Sequence, residues 1–429
     1  MSGQHLVFRG GRVVDPSQDL DAFLAVEVED GKVTRLAEDL PPGGGAEEVD
    51  ASGLVLTPGL IDMHVHLREP GQEYKETIRS GTRAAAAGGF TAVACMANTA
   101  PVNDNRTVTR HIVDEAAAAG FARVHPIGAV SKGMAGEELA EIGEMVRGGA
   151  VAVSDDGLPV RNAELMRRAL LYTRHFGVPV IQHAEDLDLT GPGVMHEGEW
   201  STRLGLPGIP GSSEDVIVAR DLILSEDTLG KYHVAHLSTA RSLDMVRRAK
   251  AQGLAVTCEV TPHHLLLTDQ AVAETEFSTD TKMKPPLRAL RDREALLEGL
   301  ADGTVDAIAS DHAPHHPDEK DVQFSCAPFG ILGLETTLAL CLDRLVRPGK
   351  ITLMRLVELL STGPARVLSL PAGTLAPGSV ADITLFDPEK VLTVDRDRFE
   401  SLSRNSPFHG WELRGAPVAT YVGGLRVRL

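Results

Sequence analysis

The stretch Leu54-Val55-Leu56-Thr57-Pro58-Gly59-Leu60-Ile61-Asp62-Met63-His64-Val65-His66 is an apolar run that ends in two histidines one residue apart. On a β-strand successive side chains alternate faces, so His64 and His66 project to one side with Cα atoms about 7 Å apart. Two imidazoles converging on one point from a rigid strand make half of a metal site. A single His-x-His decides little. Here the arrangement recurs, because other short apolar runs down the chain also end in His or Asp.

Counting that run as the first, the strand candidates are Leu60–His66, Phe90–Met96, Arg123–Val130, Ala150–Ser154, Val178–His183, Tyr232–Leu237, Leu254–Val260 and Asp306–Ser310. Segments of helical character lie between them, among them Glu76–Ala87, Thr107–Ala119, Ala163–His175, Ala240–Ala251 and Arg291–Gly299. Alternating strand and helix implies a parallel sheet. Eight such units over roughly 300 residues predict a (β/α)8 TIM barrel rather than an open doubly wound sheet. No G-x-G-x-x-G follows the first strand, which counts against a dinucleotide fold.

The flanks differ. Leu6–Val14, Phe23–Val28, Lys32–Leu36 and Glu48–Leu56 read as short strands, with turns at Gly10-Gly11, Asp30-Gly31 and Gly43-Gly44-Gly45. The same style returns after Leu370, with Asp382–Phe386, Thr393–Val394, Ala419–Val422 and Leu425–Val427 around the turns Pro377-Gly378 and Gly423-Gly424. The prediction is a small β-sandwich domain built from both termini, residues 1–56 plus 371–429, beside a catalytic barrel at 57–370.

Composition narrows the function. With 42 basic against 60 acidic residues the formal charge is −18, which argues against a nucleic-acid surface and an anionic membrane. It leaves a small anionic substrate open, since a site can be locally positive. The four cysteines form no C-x-x-C pair, a usage that suits a reducing compartment, and Cys95 and Cys258 read as small core residues. No signal pattern and no apolar run of transmembrane length is present, so a cytoplasmic location is expected.

The polar residues at strand ends are the informative set: His64 and His66 on strand 1, Asn98 after strand 2, Asp155 and Asp156 after strand 4, His183 on strand 5, His236 on strand 6 and Asp311 on strand 8. In a barrel the C-terminal strand ends meet on one face, which is where catalytic groups gather. Buried carboxylates without a cation cost several kcal/mol, of order, so a metal explains the set. Asp155 and Asp156 point oppositely on an extended chain, and periodicity does not choose between them. Nitrogen and oxygen ligands without thiolate suit Zn²⁺, with Mn²⁺, Co²⁺ or Fe²⁺ as alternatives. Six candidates exceed one tetrahedral site, which predicts two metals and hydrolysis by an acidified water. His5, His111, His175, His196 and His409 read as surface or loop residues. His233 is expected on the far side of strand 6, and His263 and His264 in a supporting role.

At these residues the sequence resembles the amidohydrolase superfamily and, within it, the dihydroorotase family of the bacterial long-chain class. The resemblance spans essentially the full length. It runs through Pro58-Gly59-Leu60-Ile61-Asp62-Met63-His64-Val65-His66-Leu67-Arg68-Glu69-Pro70-Gly71, Ser154-Asp155-Asp156-Gly157, Leu204-Gly205-Leu206-Pro207-Gly208-Ile209-Pro210, Pro285-Pro286-Leu287-Arg288, Ser310-Asp311-His312-Ala313-Pro314-His315 and Pro328-Phe329-Gly330-Ile331-Leu332-Gly333-Leu334-Glu335. It implies one zinc on His64, His66 and Asp311, a second on His183 and His236, and Asp156 in the bridging place that a carboxylated lysine takes in hydantoinases and allantoinases.

The implied reaction is the reversible interconversion of N-carbamoyl-L-aspartate and L-dihydroorotate plus water in pyrimidine biosynthesis. A metal-bound hydroxide attacks the cyclic amide, and Asp311 serves as general acid and base. The resemblance further implies substrate contacts from His66, Asn98, His315, Phe329 and Gly330, and a mobile lid at His312–Pro328. Arg68 also follows from its phase on strand 1, as a clamp for the substrate carboxylate. Two positions depart from the family pattern. Lys284 stands where an asparagine contact is usual, and Met96-Ala97-Asn98-Thr99 lacks a proline before Asn98. The alternatives are another cyclic-amide hydrolase, such as a hydantoinase or allantoinase, and a silent scaffold for aspartate transcarbamoylase. A homodimer is expected.

Overall fold

The computed structural model describes residues 5–40 and 45–427; the turn expected at Gly43-Gly44 lies outside the described residues. The middle of the chain forms eight parallel barrel strands, β1 (Leu60–Val65), β2 (Phe90–Cys95), β3 (Arg123–Gly128), β4 (Ala152–Val153), β5 (Val180–Gln182), β6 (Tyr232–Val234), β7 (Val256–Val260) and β8 (Ala307–Ile308), hydrogen-bonded in chain order. Each of the eight expected strands is present, though β4 and β8 are only two residues long. The five helical segments are present too, as Ile78–Ala87, Arg106–Ala119, Ala163–Thr173, Ala240–Ala251 and Leu290–Ala301. The longest helix, Ser212–Thr228, lies between β5 and β6.

Side chains from strands all round the barrel meet in one apolar cluster: Met63, Ala94, Ile127, Ala152, Ile181, Ala235 and Ala307. Only the lumen brings such strands together, so the barrel is a packed core with alanines leaving room for the few larger residues. The seam between β1 and β8 is closed near its upper end. Val65 pairs with His312, His66 N–H donates to the His312 carbonyl at 2.9 Å, and the buried Asp62 carboxylate accepts the Ser310 N–H at 3.1 Å. Burial lifts the Asp62 carboxyl to about 7, against the N–H groups of Ser310 and His64 that favour its charge.

Two further sheets lie beside the barrel, and one of them joins strands from both termini. A four-stranded sheet holds His5–Arg9, Ala25–Glu29, Lys32–Ala37 and Glu47–Asp50. A six-stranded sheet joins Arg12–Asp15, Leu20–Phe23 and Val55–Pro58 to Ile383–Thr393, Glu412–Val422 and Leu425–Arg426. The expected strand Leu6–Val14 is two strands, divided at the Gly10-Gly11 turn, where Gly10 has φ +76°. Thr393 belongs to the same long strand as Ile383, whose hairpin with Glu412–Val422 runs along the barrel. The tip of that hairpin, residues 394–411, leaves the sheet and lies on the barrel. Ser401 and Leu402 bond to Glu76, Ser403 Oγ donates to the Lys75 carbonyl, and Glu400 and Ser401 N–H groups donate to Glu335.

Candidate metal centre

The C-terminal ends of five barrel strands bring His64, His66, Asp156, His183, His236 and Asp311 into one buried basin. The pairing of β1 with β2 is irregular between Asp62 and Val65, so simple alternation does not hold there. That irregularity re-aims the strand end, a common use of bulges beside active sites. The His64 and His66 rings nonetheless lie 5.5 Å apart and reach the same carboxylates. Three residues of the site have left-handed backbone, Arg68 (φ +62°), His236 (φ +32°) and Asp311 (φ +47°). Such conformations cost about 1–2 kcal/mol each and persist where surrounding contacts hold them.

Asp156 is the hinge of the arrangement. Its Oδ2 lies 3.4 Å from His64 Nε2 and 3.5 Å from His66 Nε2, while its Oδ1 lies 3.4 Å from His183 Nδ1 and 3.2 Å from His236 Nε2. Asp311 Oδ1 completes the first group, 3.5 Å from His64 Nε2 and 3.1 Å from His66 Nε2. Metal–ligand bonds of about 2.0–2.2 Å place tetrahedral ligand atoms roughly 3.3–3.6 Å apart, which most of these separations match. The His64 Nε2 atom is buried without a hydrogen-bond partner and aimed at two carboxylates, as expected of an atom whose partner is a cation. The donor set therefore fits a metal in each half, with Asp156 spanning them. Asp155 is engaged elsewhere, where its carboxylate accepts the Val130 and Ser131 N–H groups at 2.8 and 3.0 Å and the Ser131 hydroxyl at 2.5 Å. Of the two neighbours, Asp156 is the one whose carboxylate lies against the histidines.

Electrostatics agree. Burial opposes charge on Asp156 and Asp311, but the surrounding imidazoles overcome it and hold both carboxyls below the ordinary carboxylate range. Burial likewise opposes charge on His64, yet Asp156, Asp311 and Glu259 hold its imidazole well above the ordinary value. His183 is raised to about 9, where Asp156 and Glu185 outweigh its desolvation. The carboxylates stay ionised, and a cation entering the basin competes with the protons that His64 and His183 hold.

A second layer orients the ligands. Glu259 accepts from His64 Nδ1 at 2.5 Å, Asn98 Oδ1 from His66 Nδ1 at 2.9 Å, and Glu185 Oε2 lies 3.3 Å from His183 Nε2. Each leaves the other ring nitrogen facing the basin. Glu259 and Glu185 were not among the expected site residues. Glu259 is an acid in the middle of an apolar strand, and Glu185 follows His183 by two residues; both signals were readable. His233 faces Thr257 and Glu259 rather than the basin. His264 is fixed between Thr261 and the Pro285 carbonyl. His196, expected at the surface, is buried instead, with Arg288 Nη1 3.3 Å from its Nδ1.

Of the expected substrate residues, Asn98 bonds His66 on one half of the basin, and Lys284 reaches the other half through Glu185. Arg68 is buried and donates through Nε to the Pro314 carbonyl at 3.1 Å, the one hydrogen bond of its side chain among the described residues. Burial lowers it to about 10, so it remains charged near neutrality. His315 Nε2 donates to the Phe329 carbonyl at 2.9 Å, and burial beside Arg68 holds its imidazole down to about 3, so the ring is neutral. Lys284 Nζ pairs with Glu185 at 3.0 Å and lies 5.2 Å from the Phe329 ring centre. The segment expected as a lid contains a short helix, Pro317–Lys320. It is tied down by Lys320 Nζ to the Thr279 and Pro328 carbonyls, and by Glu319 to Lys75 at 3.1 Å.

Relatives with known names share this chain end to end. Proteins named dihydroorotase from Geobacter metallireducens and Anaeromyxobacter dehalogenans are each 56% identical to it, over 98% of this chain and 98% and 96% of their own lengths. The chain belongs to the dihydroorotase family. The family description "Dihydro-orotase-like" matches residues 53–242, which carry His64, His66, Asp156, His183 and His236. Among solved structures, an L-hydantoinase (dihydropyrimidinase) from Arthrobacter aurescens superimposes with a TM-score of 0.89 at 25% identity, over 98% of this chain and 95% of that one. A dihydropyrimidinase from Brevibacillus agri, at 24% identity and TM-score 0.84, shares the fold. A dihydroorotase-family chain with a barrel of this kind is a cyclic amidohydrolase. None of its described helices is long and apolar enough to cross a membrane.

Proposed function

We propose that this chain interconverts L-dihydroorotate plus water with N-carbamoyl-L-aspartate, on a centre of two zinc ions. The observation that carries the reading is the split carboxylate of Asp156, one oxygen toward His64 and His66 and the other toward His183 and His236. His64, His66 and Asp311 would hold one ion, His183 and His236 the other, and Asp156 would bridge. When bound, the metals supply an acidified water and polarise the amide carbonyl.

The chain's own groups do the rest. Arg68 faces the ring carboxylate with two unengaged guanidinium nitrogens, a bidentate match. Asn98, its Oδ1 committed to His66, offers its NH₂ group. His66, His315, Phe329 and Gly330 form the surrounding wall, and Lys284, held by Glu185, stands at its edge. In hydrolysis the water oxygen joins the carbonyl carbon and the C–N bond breaks. The water's proton passes through Asp311 Oδ2, the oxygen not turned toward the histidines, to the leaving nitrogen. Ring closure reverses these steps.

We further infer that the barrel at 57–370 and the β layer at 1–56 plus 371–429 are distinct units, and that the protein is a cytoplasmic homodimer. Association with aspartate transcarbamoylase is compatible with catalysis. A hydantoinase or allantoinase reading is weaker, because β4 ends without the lysine those enzymes use. A silent scaffold would not need a full ligand set.

The test is loss of dihydroorotate absorbance with protein as purified, after chelation and after zinc is restored. Activity that vanishes and returns supports the reading. Two bound metals with turnover of hydantoins or allantoin but not dihydroorotate would overturn it.

A further inference from the structure

The basin is complete once Asp311 is in place, but the wall beside it is held together by a residue from the far end of the chain. Asn405 lies in the hairpin tip and is buried. Its Nδ2 donates to the Ala313 carbonyl at 2.9 Å and the Gly330 carbonyl at 3.0 Å, and its Oδ1 accepts the His315 N–H at 3.1 Å. Its own carbonyl accepts the Leu332 N–H at 2.9 Å. The side chain thus spends both donors and its acceptor on two separate segments, Ala313–His315 and Gly330–Leu332.

Those segments carry two of the groups assigned to substrate, His315 and Gly330, with Phe329 directly before the second, and they have little slack. A Cβ placed on Gly330 would stand 2.7 Å from both the Ala313 carbonyl oxygen and the His315 ring, and His315 Nε2 is bonded to the Phe329 carbonyl. Only an amide offers two donors and an acceptor in one plane at this length. An aspartate would turn a carboxylate oxygen toward two carbonyls, and an alanine would leave three backbone groups unpaired.

We propose that Asn405 is a positioning residue for substrate affinity: it sets the separation of His315 and Gly330, and through them the fit of the bound ring. This rests on the dihydroorotate reading above. Asn405 touches neither the basin nor the reacting atoms, so its loss should act on binding more than on chemistry.

The test compares wild type with N405A and N405D in steady-state dihydroorotate kinetics, metal content by elemental analysis, and hydrogen exchange. The expected result is a KM raised at least tenfold with kcat within threefold, full metal content, and faster exchange across 313–332 but not across 60–66. Wild-type kinetics in folded variants would overturn the proposal. So would a joint loss of kcat and metal, or failure of both variants to fold, since either makes Asn405 part of the framework. Absence of dihydroorotate turnover in the wild type would instead strike the reading on which the proposal rests.

Discussion

In the basin, six side chains stand at the ends of five strands, and three are aimed by a side chain from outside it: His64 by Glu259, His66 by Asn98, His183 by Glu185. In the facing wall, His315, Phe329 and Gly330 stand on loops, and what fixes them is mostly backbone, carbonyls and N–H groups gathered by Asn405 and by His315 itself. Strand ends cannot move without disturbing the barrel. Loop backbone can, by as much as its few hydrogen bonds allow. Damage to the basin should therefore appear in metal retention and turnover, and damage to the wall in substrate affinity.

D311N should have the strongest consequence, because it removes the proton-carrying oxygen from the basin. A fall in kcat of about 10³-fold is expected, near the middle of the range for a lost general acid–base. Retention of a tenth of wild-type turnover with full metal content would take that role away from Asp311. Next comes E259Q, which keeps an acceptor for His64 but removes the charge. Metal affinity measured by chelator competition should drop about tenfold, with KM little changed. A raised KM with metal affinity intact would move Glu259 from the basin to the wall. R68K preserves charge but not the fork, so KM for dihydroorotate should rise about tenfold with kcat within threefold. Equal KM values for the two proteins would mean that Arg68 does not hold the carboxylate.

A weaker effect concerns the hairpin's attachment. Burial lifts the Glu335 carboxyl to about 7, against the Glu400 and Ser401 N–H groups that favour its charge. Between about pH 4.5, where a free glutamate ionises, and pH 7 the folded chain holds a proton that the unfolded chain has released. That contribution to stability is present below the window and is lost as pH rises through it. Denaturant titrations at pH 5 and 7.5 should show wild type losing about 1 kcal/mol more than E335Q, a small figure because the rim is partly solvated. Parallel losses in the two proteins would dismiss Glu335.

The same contrast governs what the sequence discloses. Strand periodicity and terminal histidines announce the barrel and the basin, because the basin residues stand at the ends of short apolar runs, as His183 follows Val180–Gln182. The choice between Asp155 and Asp156 was beyond periodicity, since both neighbours are buried and only the distances to Ser131 and to the imidazoles separate them. The wall is less legible. Asn405 sits in Ser403-Arg404-Asn405-Ser406, a polar run that reads as an ordinary turn. Its importance arises from contacts with residues some 90 positions earlier, and local pattern carries no trace of them. His196 misled for a related reason: a lone histidine between Met195 and Glu197 has a surface look, and only the fold brings Arg288 against it.

The hairpin tip also imposes an order in time. A ribosome that has just added Asp311 has already made every ligand of the basin, while Asn405 lies 92 residues beyond Ala313. At synthesis rates of ~5–20 residues per second, that distance is an interval of roughly 5–20 s. During it all six basin residues exist, but the loops at 313–315 and 330–332 have no anchor. A chain that ended just ahead of residue 405 would keep all six basin residues and lack the one side chain that ties Ala313–His315 to Gly330–Leu332.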